Sequence, residues 1–136
     1  MTNLIKTYTY GEEIGERVAV KFSAEGTVVK ATSPTDKVCG VTLVAGQAGA
    51  KGDVVLMGHC LVAVTGAVNA GDYIMATTGG KVKAVDLTDL DAGDVITVVG
   101  QVLETASAAA HLNAVVKPQT VVVTKAVEET QEDNNG

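Results

Sequence analysis

Ala70-Gly71-Asp72-Tyr73-Ile74-Met75-Ala76-Thr77-Thr78-Gly79-Gly80-Lys81-Val82-Lys83-Ala84-Val85 is the stretch that decides the fold of this chain. A Gly-Asp turn leads into an apolar run, Thr-Thr-Gly-Gly turns the backbone, and Lys-Val-Lys-Ala-Val returns. Paired glycines accept positive φ without a Cβ penalty, so the stretch reads as a β-hairpin. The Gly-Asp opening recurs at Gly52-Asp53-Val54-Val55-Leu56 and Gly93-Asp94-Val95-Ile96, with a relative at Gly15-Glu16-Arg17-Val18-Ala19-Val20. Each marks a surface turn that feeds a buried run.

Composition agrees with a sheet. Hydrophobic residues make up 46% of the 136 residues, but aromatics only 3%, and Trp is absent. The core must then be built from Val, Ala, Leu and Ile, and β-branched side chains favour pleated sheet over helix. Fifteen glycines supply turns. A chain of this length suits one domain and buries roughly two thirds of its unfolded surface without staples.

Outward from the first hairpin, a second is expected over residues 17–31. Arg17–Phe22 alternates, Ser23–Gly26 turns and Thr27–Ala31 returns. A loop follows at Thr32–Asp36, then a strand at Lys37–Val44, and a small-residue loop at Ala45–Gly52. Strands are expected at Asp53–Met57 and Cys60–Thr65, split at Gly58. Val95–Leu103 is a long apolar strand, and Leu112–Lys117 and Thr120–Val127 are strands separated by Pro118. The acidic end, residues 128–136, reads as an unstructured tail.

The chain says the same thing twice. Gly15–Ala19 matches Gly71–Met75, Gly26–Ala31 matches Gly79–Ala84, and Val38-Cys39-Gly40-Val41-Thr42-Leu43 matches Val98-Val99-Gly100-Gln101-Val102-Leu103. In the register of the last match, Ala45–Gly52 falls on Thr105–Leu112. Glu104–His111 is therefore expected to be a loop despite its alanines. The fold expected is all-β: a compact, pseudo-duplicated β-barrel or β-sandwich over residues 14–127, with repeat halves at about 15–57 and 71–117. Closure would remove the free edges of a Val-rich sheet.

Residues 1–13 are expected to form an extended N-terminal arm. Leu4, Ile5, Tyr8 and Tyr10 are its candidate partner-binding residues, because tyrosine anchors interfaces at low entropy cost. A first edge strand is the alternative for the same residues.

Chemistry is sparse. Asp86, Asp89, Asp91 and Asp94 could hold a hard cation or simply bond their own turns, and their spacing is not that of an EF-hand. His59 and Cys60 are neighbours, so on a strand they point to opposite faces. No Cys-x-x-Cys spacing supports zinc. Cys39 and Cys60 sit in apolar runs and read as buried free thiols, with a disulfide as the alternative. Ser23, Ser33 and Ser107 are placed in turns, outside any nucleophile elbow. The residues indicate no catalytic group, no cofactor and no metal, and the chain is expected not to be an enzyme.

The net charge is −6, with Glu128, Glu129, Glu132 and Asp133 near the end. No Lys/Arg cluster offers a footprint for nucleic acid or an anionic membrane. The N-terminal sequence carries no secretory pattern, so synthesis and folding in a cytosol are expected.

Arg17–Ala31 followed by Val38-Cys39-Gly40-Val41, with its echo from Ala70 to Met75, Gly79 to Ala84 and Val99 to Glu104, resembles the small capsid decoration (cement) proteins of tailed bacteriophages. The likeness spans about residues 10–117 and rests on glycines and small apolar residues. It implies a β domain on the outer surface of an expanded head, within the virion, made in the host cytoplasm. It implies the major capsid protein lattice as partner, bridging of neighbouring subunits as the role, and a homo-oligomer, a trimer above all. A tail-fibre or receptor-binding accessory domain is a second expectation. A small enzyme or self-processing domain, with Cys39 or Cys60 as nucleophile, is a third.

Overall fold

Runs of Val, Ile and Ala that alternate with polar residues form nine strands in the structure, a computed structural model that describes residues 3–124. They are β1 (Leu4–Tyr10), β2 (Ala19–Ala24), β3 (Thr27–Lys30), β4 (Val38–Thr42), β5 (Lys51–Val68), β6 (Tyr73–Ala76), β7 (Val82–Ala84), β8 (Val95–Val102) and β9 (Ala106–Val122). Single 3₁₀ turns lie at Thr78–Gly80 and Leu87–Asp89. The fold is all-β, as expected from composition.

The pairings close on themselves. In the first ring β1 meets β3, β3 meets β2, β2 meets β4, β4 meets β5, and β5 returns to β1. The second half of β5 opens another ring, through β7, β6, β8 and β9 and back to β5. The 18-residue β5 is therefore the shared stave of two small barrels. Closure leaves few unpaired edges, which a Val-rich sheet needs.

The duplication is written in the register. Val20 faces Gly40 and Lys21 faces Val38 across one irregularity; Ile74 faces Gly100 and Met75 faces Val98 across the same irregularity. Val41 faces Val55 as Gln101 faces Val115. Tyr8 faces Gly52 as Val62 faces Leu112, so β1 is the counterpart of the second half of β5. The match of Val38–Leu43 to Val98–Leu103 holds residue for residue. The other two correspondences shift. Arg17, not Gly15, is the counterpart of Gly71: both have positive φ, and their amides donate to the equivalent carbonyls of Thr42 and Val102. Gly80, not Gly79, matches Gly26, and both stand at φ +80.

Both expected hairpins form, β2–β3 and β6–β7. Four other expectations are corrected. The segment at Gly58 does not break; β5 runs through it, with Gly58 at φ +137 and its amide and carbonyl neighbours still paired to β9. Pro118 does not separate two strands. It sits where the β8–β9 register shifts between Val98 and Gly100, a bulge that needs no amide donor there. Glu104–His111 is a loop only as far as Thr105. From Ala106 it is strand, because β5 continues to Val68 and offers Gly66 and Val64 as partners for Ala108 and Ala110. In the first ring the corresponding partner bends away after Tyr10, and one isolated bridge, Ile14 to Gly46, is all that remains. Ser23 and Ser107 lie in strands accordingly. Of Thr120–Val127, residues up to Val122 are strand; those beyond 124, and the acidic tail, lie outside the described residues.

Residues 4–10 do not form a detached arm. β1 hydrogen-bonds along β5 and closes the first ring against β3. The Asn3 side chain adds to this by donating to the His59 carbonyl and accepting from the His59 amide, at 2.8 and 3.1 Å.

Tyr10, Ile14, Val18, Val20, Val28 and Val54 fill the first barrel. Val64, Val68, Ile74, Val82 and Ala114 stand in the second at the positions of Tyr10, Ile14, Val20, Val28 and Val54. Ala19, Ala31, Val38, Val41 and Val55 belong to the second barrel's cluster although they sit on, or in Ala31's case just after, strands of the first. They project outward from the first ring and form the seam between barrels.

Candidate functional site

The surface features follow from which outward positions the seam covers. Around the first ring, Leu4 and Ile5 of β1 are exposed, at 53% and 42%. Leu4 lies opposite Met57, which is also exposed. Tyr8 is half-buried and meets Phe22 edge-to-face, with ring centroids 5.1 Å apart. Phe22 itself is 48% exposed and flanks a shallow depression with Tyr8, Ala24, Glu25 and Gly26.

Tyr10 is a correction to the expected partner-binding set. It is buried in the first barrel, with its hydroxyl donating to the Val44 carbonyl at 2.6 Å. Burial, and then the nearby charge of Asp53, pushes its phenol up from the ordinary value. Its strand parity places the side chain inside, so it packs rather than docks. Leu4 and Ile5 remain at the surface, with Tyr8 at its margin.

The second barrel carries a feature that strand-by-strand reading missed. Between β6, β8 and the end of β9 runs a groove of about 700 Å³. Its walls include Tyr73, Leu87 and Val122, all exposed, and its floor includes Ile96 and Val98. A smaller depression continues past Gln101 and Val115. Tyr73 is 58% exposed and stands between the two. Beneath them Met75, Leu90, Ile96, Val98 and Val123 form a separate apolar cluster. The signal present in the sequence was Val121-Val122-Val123. Consecutive apolar residues in extended backbone must send at least one side chain outward.

The loop aspartates serve their own turns. Asp86 accepts from the Thr88 amide and hydroxyl, Asp94 accepts from the Asp91 amide, and Asp89 pairs with Lys83 at 3.0 Å. Among the described residues, no three His, Cys, Asp or Glu side chains gather in a way that could hold a metal ion. His59 and His111 are both exposed and face different rungs of β9 and β5.

Cys39 and Cys60 are free thiols, as expected, with Cys60 buried and Cys39 half-buried. Burial pushes each thiol up to about 11. At neutral pH such a group is the thiol and not the thiolate, which is the nucleophilic form. Cys39 occupies the position that Val99 holds in the second barrel, where it packs with the first core.

Glu104 is held below the usual carboxylate range because it accepts from the Asn113 amide and side chain. That contact ties the loop before β9 to β9 itself.

No protein-family model matches this chain, and no curated protein matches it. Among solved structures, the head fiber gp8.5 N base of bacteriophage phi29 is similar, with a TM-score of 0.62 and 12% sequence identity. The similarity covers 85% of this chain and 95% of that one. At this identity the likeness is one of fold: the two chains share the all-β architecture.

Proposed function

We propose that this protein is a structural component of a bacteriophage virion, bound to the outer surface of the expanded head, where it bridges neighbouring major capsid protein subunits. The observation that carries the reading is the fold shared with a phage head fiber base along nearly all of that chain. The resemblance in the glycine pattern supports the same assignment from the sequence side.

The chemistry of the surface fits a mechanical role. Exposed Leu4, Ile5 and Met57 offer a small apolar contact at the start of β1. Each copy need supply only a few kcal/mol, because many copies act together and binding only the expanded lattice stabilises it by mass action. No catalytic step belongs to this proposal. The two thiols are held protonated at neutral pH, and the aspartates are engaged in turns.

A second reading is the base of a fibre anchored on the head, and the identity of the structural neighbour favours it. Both readings place the protein on the head rather than on the tail.

The test is co-sedimentation of purified protein with unexpanded and expanded heads of the phage that encodes it. Stoichiometric binding to expanded heads alone is expected. Binding to neither overturns the capsid reading. Immunogold labelling of whole virions separates the two variants: label spread over the shell fits a bridge, and label at the root of a projecting fibre fits a base.

A further inference from the structure

The two barrels of one chain already display a docking mode. Ala19, Ala31, Val38, Val41 and Val55 form the outward face of the first barrel, and each is at most 7% exposed, because the second barrel covers them. Gly80 marks the contact. A Cβ there would meet the Ala19 carbonyl and the Val18 side chain.

The duplication places a counterpart to each of these residues on the second barrel. Strand register equates Ala19 with Tyr73, Val38 with Val98, Val41 with Gln101 and Val55 with Val115. The Ala31 amide donates to the Ala19 carbonyl as the Val85 amide donates to that of Tyr73, which equates Ala31 with Val85. Tyr73, Val85, Val98, Gln101 and Val115 are all among the residues that line the groove and its continuation. The face that is covered in the first barrel is partly open in the second: Tyr73 and Val115 are exposed at 58% and 38%, Val85 and Gln101 are half-buried, and Val98 is buried in the cluster with Ile96 and Val123.

The covering element has its counterpart too. Gly80 corresponds to Gly26, and Ala76, buried in the second barrel's cluster, corresponds to Phe22. Nothing lies within 4 Å of a Cβ built on Gly26, and Phe22 is 48% exposed. Among the described residues, one chain thus carries a partly uncovered socket at one end and an uncovered plug at the other. The end of β9 fills only one margin of the socket. There the Val123 amide donates to the Asp94 carbonyl, as the Thr97 amide donates to the Pro34 carbonyl in the seam.

We propose that the Tyr73–Val115 groove receives the Phe22–Gly26 end of a second copy of this chain, head to tail, by repeating the contact that the two barrels make within one copy. Such a heterologous contact closes into a ring or grows as a filament, depending on the rotation between copies. The aromatic plug and apolar socket supply the desolvated centre that stable contacts need. The inference rests on the internal duplication and not on the capsid reading, and it is tested on the protein alone.

The experiment uses Phe22→Glu and Tyr73→Glu in the full chain. Both side chains are about half in solvent, and circular dichroism confirms that each variant is folded. Sedimentation velocity should show wild-type protein associated and each variant shifted to the monomer. An equimolar mixture of the two variants should form a dimer and nothing larger. The intact groove of one accepts the intact plug of the other, while the two altered faces repel. A wild type that stays monomeric at every concentration overturns the proposal. So does an oligomer that survives both substitutions, or a mixture that stays monomeric beside an associating wild type. Any of these results leaves head binding, read by co-sedimentation, as a separate outcome.

Discussion

The ring of Tyr10 lies where a side chain on Gly52 would stand. The second barrel solves the same packing problem differently, with Val64 in place of the tyrosine and Leu112 in place of the glycine. Large-plus-small has become medium-plus-medium at constant fold. Gly52→Ala is expected to cost about 1–3 kcal/mol by overpacking. Gly52→Leu should be far better tolerated in a Tyr10→Val background, with a coupling of about 1 kcal/mol or more in a double-mutant cycle. Urea denaturation measures both; additive effects would sink the account.

Gly40 and Gly100 are the deepest equivalent pair. A Cβ on either meets a backbone carbonyl of the neighbouring strand, that of Val55 or Val115, and backbone cannot turn aside. Gly40→Ala and Gly100→Ala are each expected to lose about 3 kcal/mol or more, at the upper end of single-substitution effects. Gly66 has open space around it and no positive φ. Gly66→Ala should be neutral or stabilise by up to about 0.5 kcal/mol through reduced chain entropy. Thermal melts of the three variants give the comparison, and equal losses at all three sites would contradict it.

Arg17 and Gly71 hold the same left-handed turn, at φ 63 and 96. Only glycine adopts this region without a Cβ penalty of about 1–2 kcal/mol. Arg17→Gly is expected to leave stability unchanged or raise it by up to about 1 kcal/mol, since glycine's extra chain entropy offsets part of the relief. Gly71→Ala should lower it by about 1 kcal/mol. Opposite signs in chemical denaturation confirm the equivalence of the two turns; a large loss in Arg17→Gly refutes it.

The thiols make stability depend on alkaline pH. Both have an ordinary value of 9.0 and are raised to about 11 by burial. In the unfolded chain they ionise first, so above about pH 9 the unfolded state is favoured by proton release. Their contribution is fully present below pH 9 and is lost as pH rises toward about 11. Cys39→Val together with Cys60→Ala should flatten this part of the pH–stability curve. In the native wild type at pH 7.5 (a condition chosen for thiol labelling) both groups should react with iodoacetamide much more slowly than in denaturant. Rapid native labelling of Cys60 would contradict its burial.

Much of the fold could be read locally. The hairpins at Ala19–Lys30 and Tyr73–Ala84 follow from glycine placement and alternation, and Val38–Leu43 against Val98–Leu103 aligned correctly because both carry a bulge at the same glycine. The correspondence at Gly15 slipped because the left-handed residue that matches Gly71 is an arginine, which no turn rule selects. Rules that see only neighbours read Gly58 and Pro118 as strand breaks. Gly58 is held in register by the distant β9, and Pro118 falls in a bulge of the β8–β9 ladder. Of the surface, Leu4 and Ile5 were legible. Tyr10 was not, since the ring closure that turns it inward depends on β3 and β5.

The chemistry and the class are legible residue by residue: a Val-rich, Trp-free, doubled β chain whose glycines mark its turns and bulges, with two cysteines in apolar runs. Those properties belong to single residues and their neighbours. Tertiary structure alone decided that β5 serves two rings, that the seam buries Ala19 and Val55, and that the equivalent Tyr73 and Val115 stand open. The reason is physical. Burial of an outward strand face depends on what packs against it, and two nearly identical local patterns acquire different fates when, among the described residues, only one of them is covered by a second barrel.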